Sequence, residues 1–352
     1  MVTHSRIAVD TESNSLHAYR ERVCLMQIST TKSDYLIDPL AIADLSALGP
    51  IFNNPRVEKI FHAAEYDLIC LRRDFGFQFA CIFDTMQAAR VLGYPYVGLD
   101  NLLAEKFQVR MDKRHQKADW AARPLTAAQI DYARLDTHYL FKLRDLLEQE
   151  LREKDRLELA RDDFARLSRP EEPKEQKTNG STWKRFSTRK DVNPRELTIL
   201  AELCRRRDVI AEKLNRPPFK VVDDNLLLAI ARTPPEQKID LAAIGLSSRQ
   251  IRLWGGEILD GYKRGMSAPL LNRDLPKRPS DAIIKRLEKL KAWRKKIAQE
   301  LKVESDIVLP KTYMHVFAEN PPRSLHDVET VMADSPWRMR MYGSQILVLL
   351  GG

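Results

Sequence analysis

The chain has 352 residues, about twice a common domain, so two or three domains with separate cores are expected. A hydrophobic fraction of 43% with 30% charged residues describes an ordinary soluble globular protein. The net charge of +9 leaves two readings open: a polyanionic partner such as nucleic acid, or merely a basic, well-solvated surface.

Cys24, Cys70, Cys81 and Cys204 fall in apolar runs without CxxC spacing, which predicts reduced core thiols rather than a disulfide frame or zinc site. No apolar run approaches the roughly 20 residues of a membrane helix, and the first residues lack a signal peptide's hydrophobic stretch. The expectation is a cytoplasmic protein with no membrane partner and no obligate protein partner.

In chain order, "RIAVD", "VCLMQIS" and "DYLIDP" read as three successive strands joined by polar turns. "DLSALGPIFN" predicts a short helix, and "VEKIFHA" a strand running into the helix "AEYDLICLRRDFG", closed by Gly76. "IFDTMQAARVLG" is a strand-to-helix unit, "LDNLLAEKFQ" a further helix, and "TAAQIDYARLD" opens a long helical region ending near residue 165. A three-stranded meander feeding strand–helix units predicts an α/β layer fold with a mixed sheet and flanking helices over residues 1–167.

Composition turns polar and rich in Pro, Lys, Ser and Thr over 168–192, a linker in which Trp183 and Phe186 offer the main apolar surface. Beyond it the pattern is helical, and it repeats. At an offset of 87, Leu203, Arg207, Ala211 and Leu214 match Leu290, Arg294, Ala298 and Leu301, and Pro234–Pro235 match Pro321–Pro322. One further residue then aligns "WGGEIL" with "YGSQIL". Two copies of one small helical domain follow, 193–266 and 281–352, with a linker at 267–280. "KRLEKLKAWRKK" (285–296) places seven basic residues in twelve, either a phosphate-binding stripe or a solvated face beside Leu287, Leu290 and Ile297.

Three places carry acids that fit poorly with bland packing. Asp10 and Glu12 are two apart on a strand, so both carboxylates face one side. Desolvated together they repel unless a cation such as Mg2+ or Mn2+ neutralises them; at a solvated strand end they need none. Asp136 interrupts the stripe Tyr132, Tyr139, Leu140, Leu143 on a helix, where it faces the same way as Tyr132 or pairs with Arg134 or His138. Asp67 lies in a helix's first turn, where the helix dipole alone suffices to favour it.

Taken together, "DTE", "HAAEYD" and "YARLD" resemble the three exonuclease motifs of the DEDD superfamily in its Tyr-bearing branch. "DKRHQKADWAARPLTAAQIDYARLD" is similar to the segment before the third motif in ribonuclease D, and the repeats resemble HRDC domains. The resemblance covers nearly the whole chain and implies a ribonuclease H-like exonuclease domain followed by two all-α HRDC domains. It further implies that Asp10, Glu12 and Asp136 hold one of two divalent metal ions, with Asp10 bridging to the second. Asp67 would then act on that second ion through water, and Tyr132 would orient the attacking water.

The implied activity is 3′-to-5′ exoribonuclease trimming of RNA 3′ ends, tRNA precursors among them, by two-metal hydrolysis releasing nucleoside 5′-monophosphates. A DNA-directed exonuclease and a nucleic-acid binding protein with an inactive exonuclease domain are the alternatives. Candidate substrate contacts are Gln27, at a terminal nucleotide or a sheet edge, and His62, at a phosphate or in a structural role. Lys113, Lys117 and Arg123 complete the set as contacts to the substrate backbone, with an anchor for Asp119 as the other reading of Arg123. Trp120 is read as packing. The chain departs from the family in having only nine residues before Asp10 and in lacking an aromatic after Glu12, where "SNSLHAYRER" is expected to meet the RNA terminus.

Overall fold

The computed structural model describes residues 4–169, 182–273 and 278–351. They divide into two compact units, and neither is one continuous stretch of chain. Among the described residues the first takes 4–13, 22–169 and 279–351; the second takes 14–21, 182–273 and 278.

The first unit is built on a five-stranded sheet of order β3-β2-β1-β4-β5. β1 (Arg6–Ser13), β2 (Val23–Ser29) and β3 (Asp34–Ile37) form the antiparallel meander that the sequence predicts. After a short helix α1 (Gly49–Phe52), β4 (Glu58–Phe61) returns parallel to β1. Helix α2 (Glu65–Phe75) follows and stops where Gly76 takes φ +69°, a left-handed conformation natural to glycine. β5 (Ile82–Asp84) adds in parallel to β4, and the chain continues through α3 (Thr85–Leu92), α4 (Leu99–Phe107), α5 (Ala127–His138), α6 (Leu140–Glu153) and α7 (Leu157–Ser168).

Alternation along β1 divides the sheet's two faces. Ile7 and Val9 pack with Leu68 and Leu71 of α2, while Ala8 joins Phe83, Leu140 and Leu143 on the other side. The long helical stretch after residue 126 is not one helix: at Tyr139 the backbone N–H turns back to the Thr137 carbonyl, and α6 begins at Leu140. The stripe expected from Tyr132 to Leu143 is therefore divided between two helices. Cys24, Cys70 and Cys204 are buried; Cys81, expected in the core, is exposed.

Within the second unit, α8 (Lys184–Ser187), α9 (Pro194–Lys213), α10 (Pro218–Val221), α11 (Asp224–Arg232), α12 (Asp240–Ile244) and α13 (Ser248–Ser267) form one helical domain. Phe186 is buried in its core and Trp183 packs against it, while residues 170–181 of the expected linker lie outside the described residues. Helices α9 and α13 meet almost backbone to backbone: a Cβ on Gly265 would stand 2.5 Å from Ile199 Cα. The stretch after Glu12, expected at an RNA terminus, belongs to this unit. The Tyr19 side chain joins the core, its N–H donates to Asn215 Oδ1 at 3.2 Å, and Arg20 pairs with Glu212 at 2.9 Å.

The second copy returns to the first unit as α14 (Asp281–Leu301), α15 (Ser305–Val308), α16 (Lys311–Glu319), α17 (Leu325–Val331) and α18 (Pro336–Leu350). Helices α15 and α16 stand at the predicted offset of 87 from α10 and α11. One hydrogen bond repeats with them: Arg207 Nη1 donates to Val222 O at 3.0 Å and Arg294 Nη1 to Leu309 O at 2.8 Å.

This copy packs on the α/β domain, and Ile307 enters the cluster of Phe83, Leu140 and Phe164. Arg90 reaches Glu304 and Asp306 at 2.6 and 2.7 Å, and fully buried Arg338 reaches Asp163 at 2.9 Å. The Asp162 carboxylate accepts the N–H groups of Trp337 and Arg338 at the start of α18. Gly93, at φ +85°, lets the chains close: its Cβ would lie 2.3 Å from Lys302 O. No described helix is long and apolar enough to cross a membrane.

Candidate active site

β1 and β4 pair from Arg6–Glu58 to Ala8–Ile60, and beyond Ala8 β1 continues without that partner. The carboxyl ends of parallel strands are where open α/β sheets place ligands, and here the edge carries Asp10 and Glu12. The period of two turns both acids toward α5, which brings Asp136 to them. One carboxylate oxygen from each of Asp10, Glu12 and Asp136 falls within 4.8 Å of the other two.

Asp136 does not pair with its helix neighbours. His138 bonds Asp34 at 2.8 Å instead. Thr11, between the two acids of β1, points to the opposite face, and its hydroxyl donates to Asp67 Oδ1 on α2. Asp67 is 7% exposed and is not one of the three acids within 4.8 Å, but its charge acts on Glu12 and Asp136.

Burial and mutual repulsion dominate the electrostatics. Desolvation first, then Asp136, holds Asp10 protonated far above the carboxylate range. Desolvation pushes Glu12 up to about 10, with Asp10, Asp136 and Asp67 adding to it. Asp67 and Asp136 are raised by burial and then by Asp10 and by Asp67, respectively. Three acids within 4.8 Å of one another, all offering oxygen, fit a hard divalent cation rather than a thiophilic metal. The Tyr132 phenol is also pushed above its usual value, by burial and then by Asp136, Glu12 and Asp10, so it stays protonated. Its ring packs 6.0 Å from Trp120, which is 1% exposed and serves as packing.

The other candidates are dispersed. Gln27 is 0% exposed on a strand flanked by β1 and β3, so it neither closes an edge nor reaches a nucleotide. The His62 Nδ1 bonds Thr85 Oγ1 at 2.9 Å, and burial lowers its pKa to about 4, leaving it neutral. Lys113 pairs with Asp100 at 2.6 Å on the surface, and Lys117 is exposed. The Arg123 guanidinium is occupied by Asp38, at 2.7 and 2.8 Å, and by the Cys24 carbonyl, rather than by Asp119. In the basic run of α14, Arg286 and Arg294 donate to the carbonyls of Ala318 and Leu309, whereas Lys285, Lys291, Lys295 and Lys296 are exposed.

Asp84 escaped sequence reasoning. Its carboxylate accepts N–H groups from Met86 and Gln87 as the cap of α3, and also from Ala63 and Ala64 at 3.2 and 2.8 Å. Ala63 has φ +63°, and this clasp holds the strained turn that launches α2 and Asp67. An aspartate before an apolar helix reads as a cap; the second pair of bonds crosses 20 residues and leaves no local signal.

A sheet ending in clustered carboxylates, with α2 and α5 supplying the rest, is the arrangement of a metal-using 3′-5′ exonuclease, and the family of that description matches residues 2–152. The HRDC domain family matches residues 196–261 and 284–350. A ribonuclease D from Gluconacetobacter diazotrophicus is 32% identical over 98% of this chain and 88% of its own length. The solved Escherichia coli RNase D superposes with a TM-score of 0.68, covering 99% of this chain and 93% of its own, at 24% identity, which shows the shared fold. An exosome complex component 10 homolog of Caenorhabditis elegans is 36% identical over 65% of this chain, which spans only 26% of that longer protein. The chain belongs to the ribonuclease D family.

Proposed function

We propose that this protein is a metal-dependent 3′-to-5′ exoribonuclease of the cytoplasm that trims the 3′ ends of structured RNAs, tRNA precursors included, and releases nucleoside 5′-monophosphates. The observation that carries the reading is the convergence of Asp10, Glu12 and Asp136 within 4.8 Å. Asp10, Glu12 and Asp136 would hold a divalent cation, Mg2+ or Mn2+, and Asp67 would face a second. Those cations supply positive charge against the charge building on the scissile phosphate.

The chain's own groups do the rest. Tyr132, kept neutral by its surroundings, presents a phenolic hydroxyl that orients the attacking water without competing for its proton. Thr11 fixes the rotamer of Asp67. The exposed lysines of α14 add sequence-blind attraction for the RNA backbone.

The test is degradation of end-labelled RNA and DNA oligomers by wild type and Asp10→Asn, with Mn2+ and with EDTA. RNA shortened stepwise from its 3′ end, only with metal and far more slowly by Asp10→Asn, is the expected result. RNA that survives Mn2+ at high enzyme concentration, or an Asp10→Asn enzyme as fast as wild type, defeats the proposal; preferential loss of DNA transfers the activity to that substrate.

A further inference from the structure

Every residue of β2 is buried, and one of them is a glutamine. Both polar atoms of the Gln27 side chain, Oε1 and Nε2, lie buried without a hydrogen-bond partner. An amide stranded in this way destabilises the fold, and an apolar residue of similar size would serve the strand better. Its neighbours fix where the amide points.

Gln27 stands directly opposite Asp10 in the β1–β2 ladder, and opposed residues of an antiparallel pair project from the same face. Two positions to either side on that face, Leu25 packs with Ala133 of α5, and Ser29 Oγ lies 2.7 Å from Thr137 Oγ1. The amide is thus held between β2 and α5, across the strand from Asp10 and level with the turn of α5 that carries Asp136.

We infer that Gln27 is a positioning residue of the metal site, an inference that rests on the exonuclease reading above. When a cation is bound and the acids are ionised, the Gln27 Nε2 group donates to the Asp10 carboxylate and fixes it in its ligating orientation. The amide lacks a partner in the metal-free fold and gains one when Asp10 turns to ligate, so its cost there becomes selectivity for the loaded fold. Partners of this kind around ligating carboxylates are worth about 10- to 100-fold in metal affinity.

The experiment compares full-length wild type, Gln27→Leu, Gln27→Met and Asp136→Asn, each stripped of metal, by calorimetric titration with Mn2+ and by melting in EDTA. Both Gln27 variants should bind Mn2+ at least about 10-fold more weakly, yet melt without metal at or above the wild-type temperature, because the stranded amide is gone. Met preserves the side chain's length should Leu fail to fold. Wild-type Mn2+ affinity in the Gln27 variants, or a lowered metal-free melting temperature in both, overturns the positioning role and leaves the exonuclease reading standing. A wild type that binds no Mn2+, or an Asp136→Asn protein that binds it as wild type does, overturns both.

Discussion

Replacing Arg338 with Met tests how the second helical copy is fastened to the α/β domain. The guanidinium is fully buried. Its Nε and Nη2 donate to Ile307 O at 3.1 and 2.8 Å, and Nη2 also bonds Asp163 Oδ2 at 2.9 Å. Methionine keeps most of the apolar stem and removes all three bonds.

Removing one member of a buried ion pair costs about 3–5 kcal/mol when the other charge is stranded. Asp163 retains Arg166 at 3.2 Å, which places the expectation at the low end, about 3 kcal/mol, shared between the weakened carboxylate and the abandoned Ile307 carbonyl. Urea titration followed by circular dichroism measures the loss, and limited proteolysis should release the segment from α14 onward earlier than in wild type. Adding Asp163→Asn removes the weakened carboxylate and should recover about 1 kcal/mol relative to the single variant, while buried Asp162, 3.6 Å from Nη1 in wild type, still lacks its cation. A single variant within about 1 kcal/mol of wild type would refute the idea that this buried contact fastens the copy.

In EDTA the four site acids hold protons to higher pH in the folded chain than in the unfolded one, with Glu12 raised to about 10. Their contribution to stability is complete below about pH 4 and drains as pH rises through the folded values. Lys59, lowered to about 8 by burial, works in the opposite direction at alkaline pH, so the quantity to follow is wild type minus Asp136→Asn. Because Asp136 is raised to about 7, that difference in melting temperature should grow more unfavourable to wild type from about pH 4 to about pH 7; a difference that shrinks contradicts the assignment. Tyr132→Phe keeps the ring contacts with Trp120 and His115, so melting should hold while single-turnover RNA cleavage slows about 100-fold or more. Unchanged cleavage would remove the hydroxyl from the mechanism.

Features with a local period were legible from sequence, and features made by distant partners were not. Alternation along β1 puts Asp10 and Glu12 on one face, and the register of the repeats at 87 residues reappears as the Arg207–Val222 and Arg294–Leu309 hydrogen bonds. The same alternation implies that Thr11 faces away, but that its hydroxyl meets Asp67 depends on how α2 packs. Asp84 clasping Ala63 and Ala64, and Arg123 turning to Asp38, are likewise choices made across 20 and 85 residues. Gln27 looked like a surface contact because polar residues in strands usually are; only the ladder shows it enclosed. Near-identical patterns also concealed different uses, since the loop after α14 carries Glu304 and Asp306 to Arg90, while the matching stretch after α9 has Pro217 and Phe219 at those positions.

The division of the chain has a consequence for its synthesis. Residues 14–21 leave the ribosome near the start, yet Asn215 and Glu212, which receive Tyr19 and Arg20, follow about two hundred residues later. At roughly 5–20 residues per second, that is ten seconds or more in which β1 and β2 can pair while the loop joining them has no host. The first unit waits longer still, because Ile307 and Arg338, which complete its core, come about three hundred residues after β1. Neither unit can finish folding in the order in which it is made, and a nascent chain stalled before residue 300 would expose the apolar seat of the second copy.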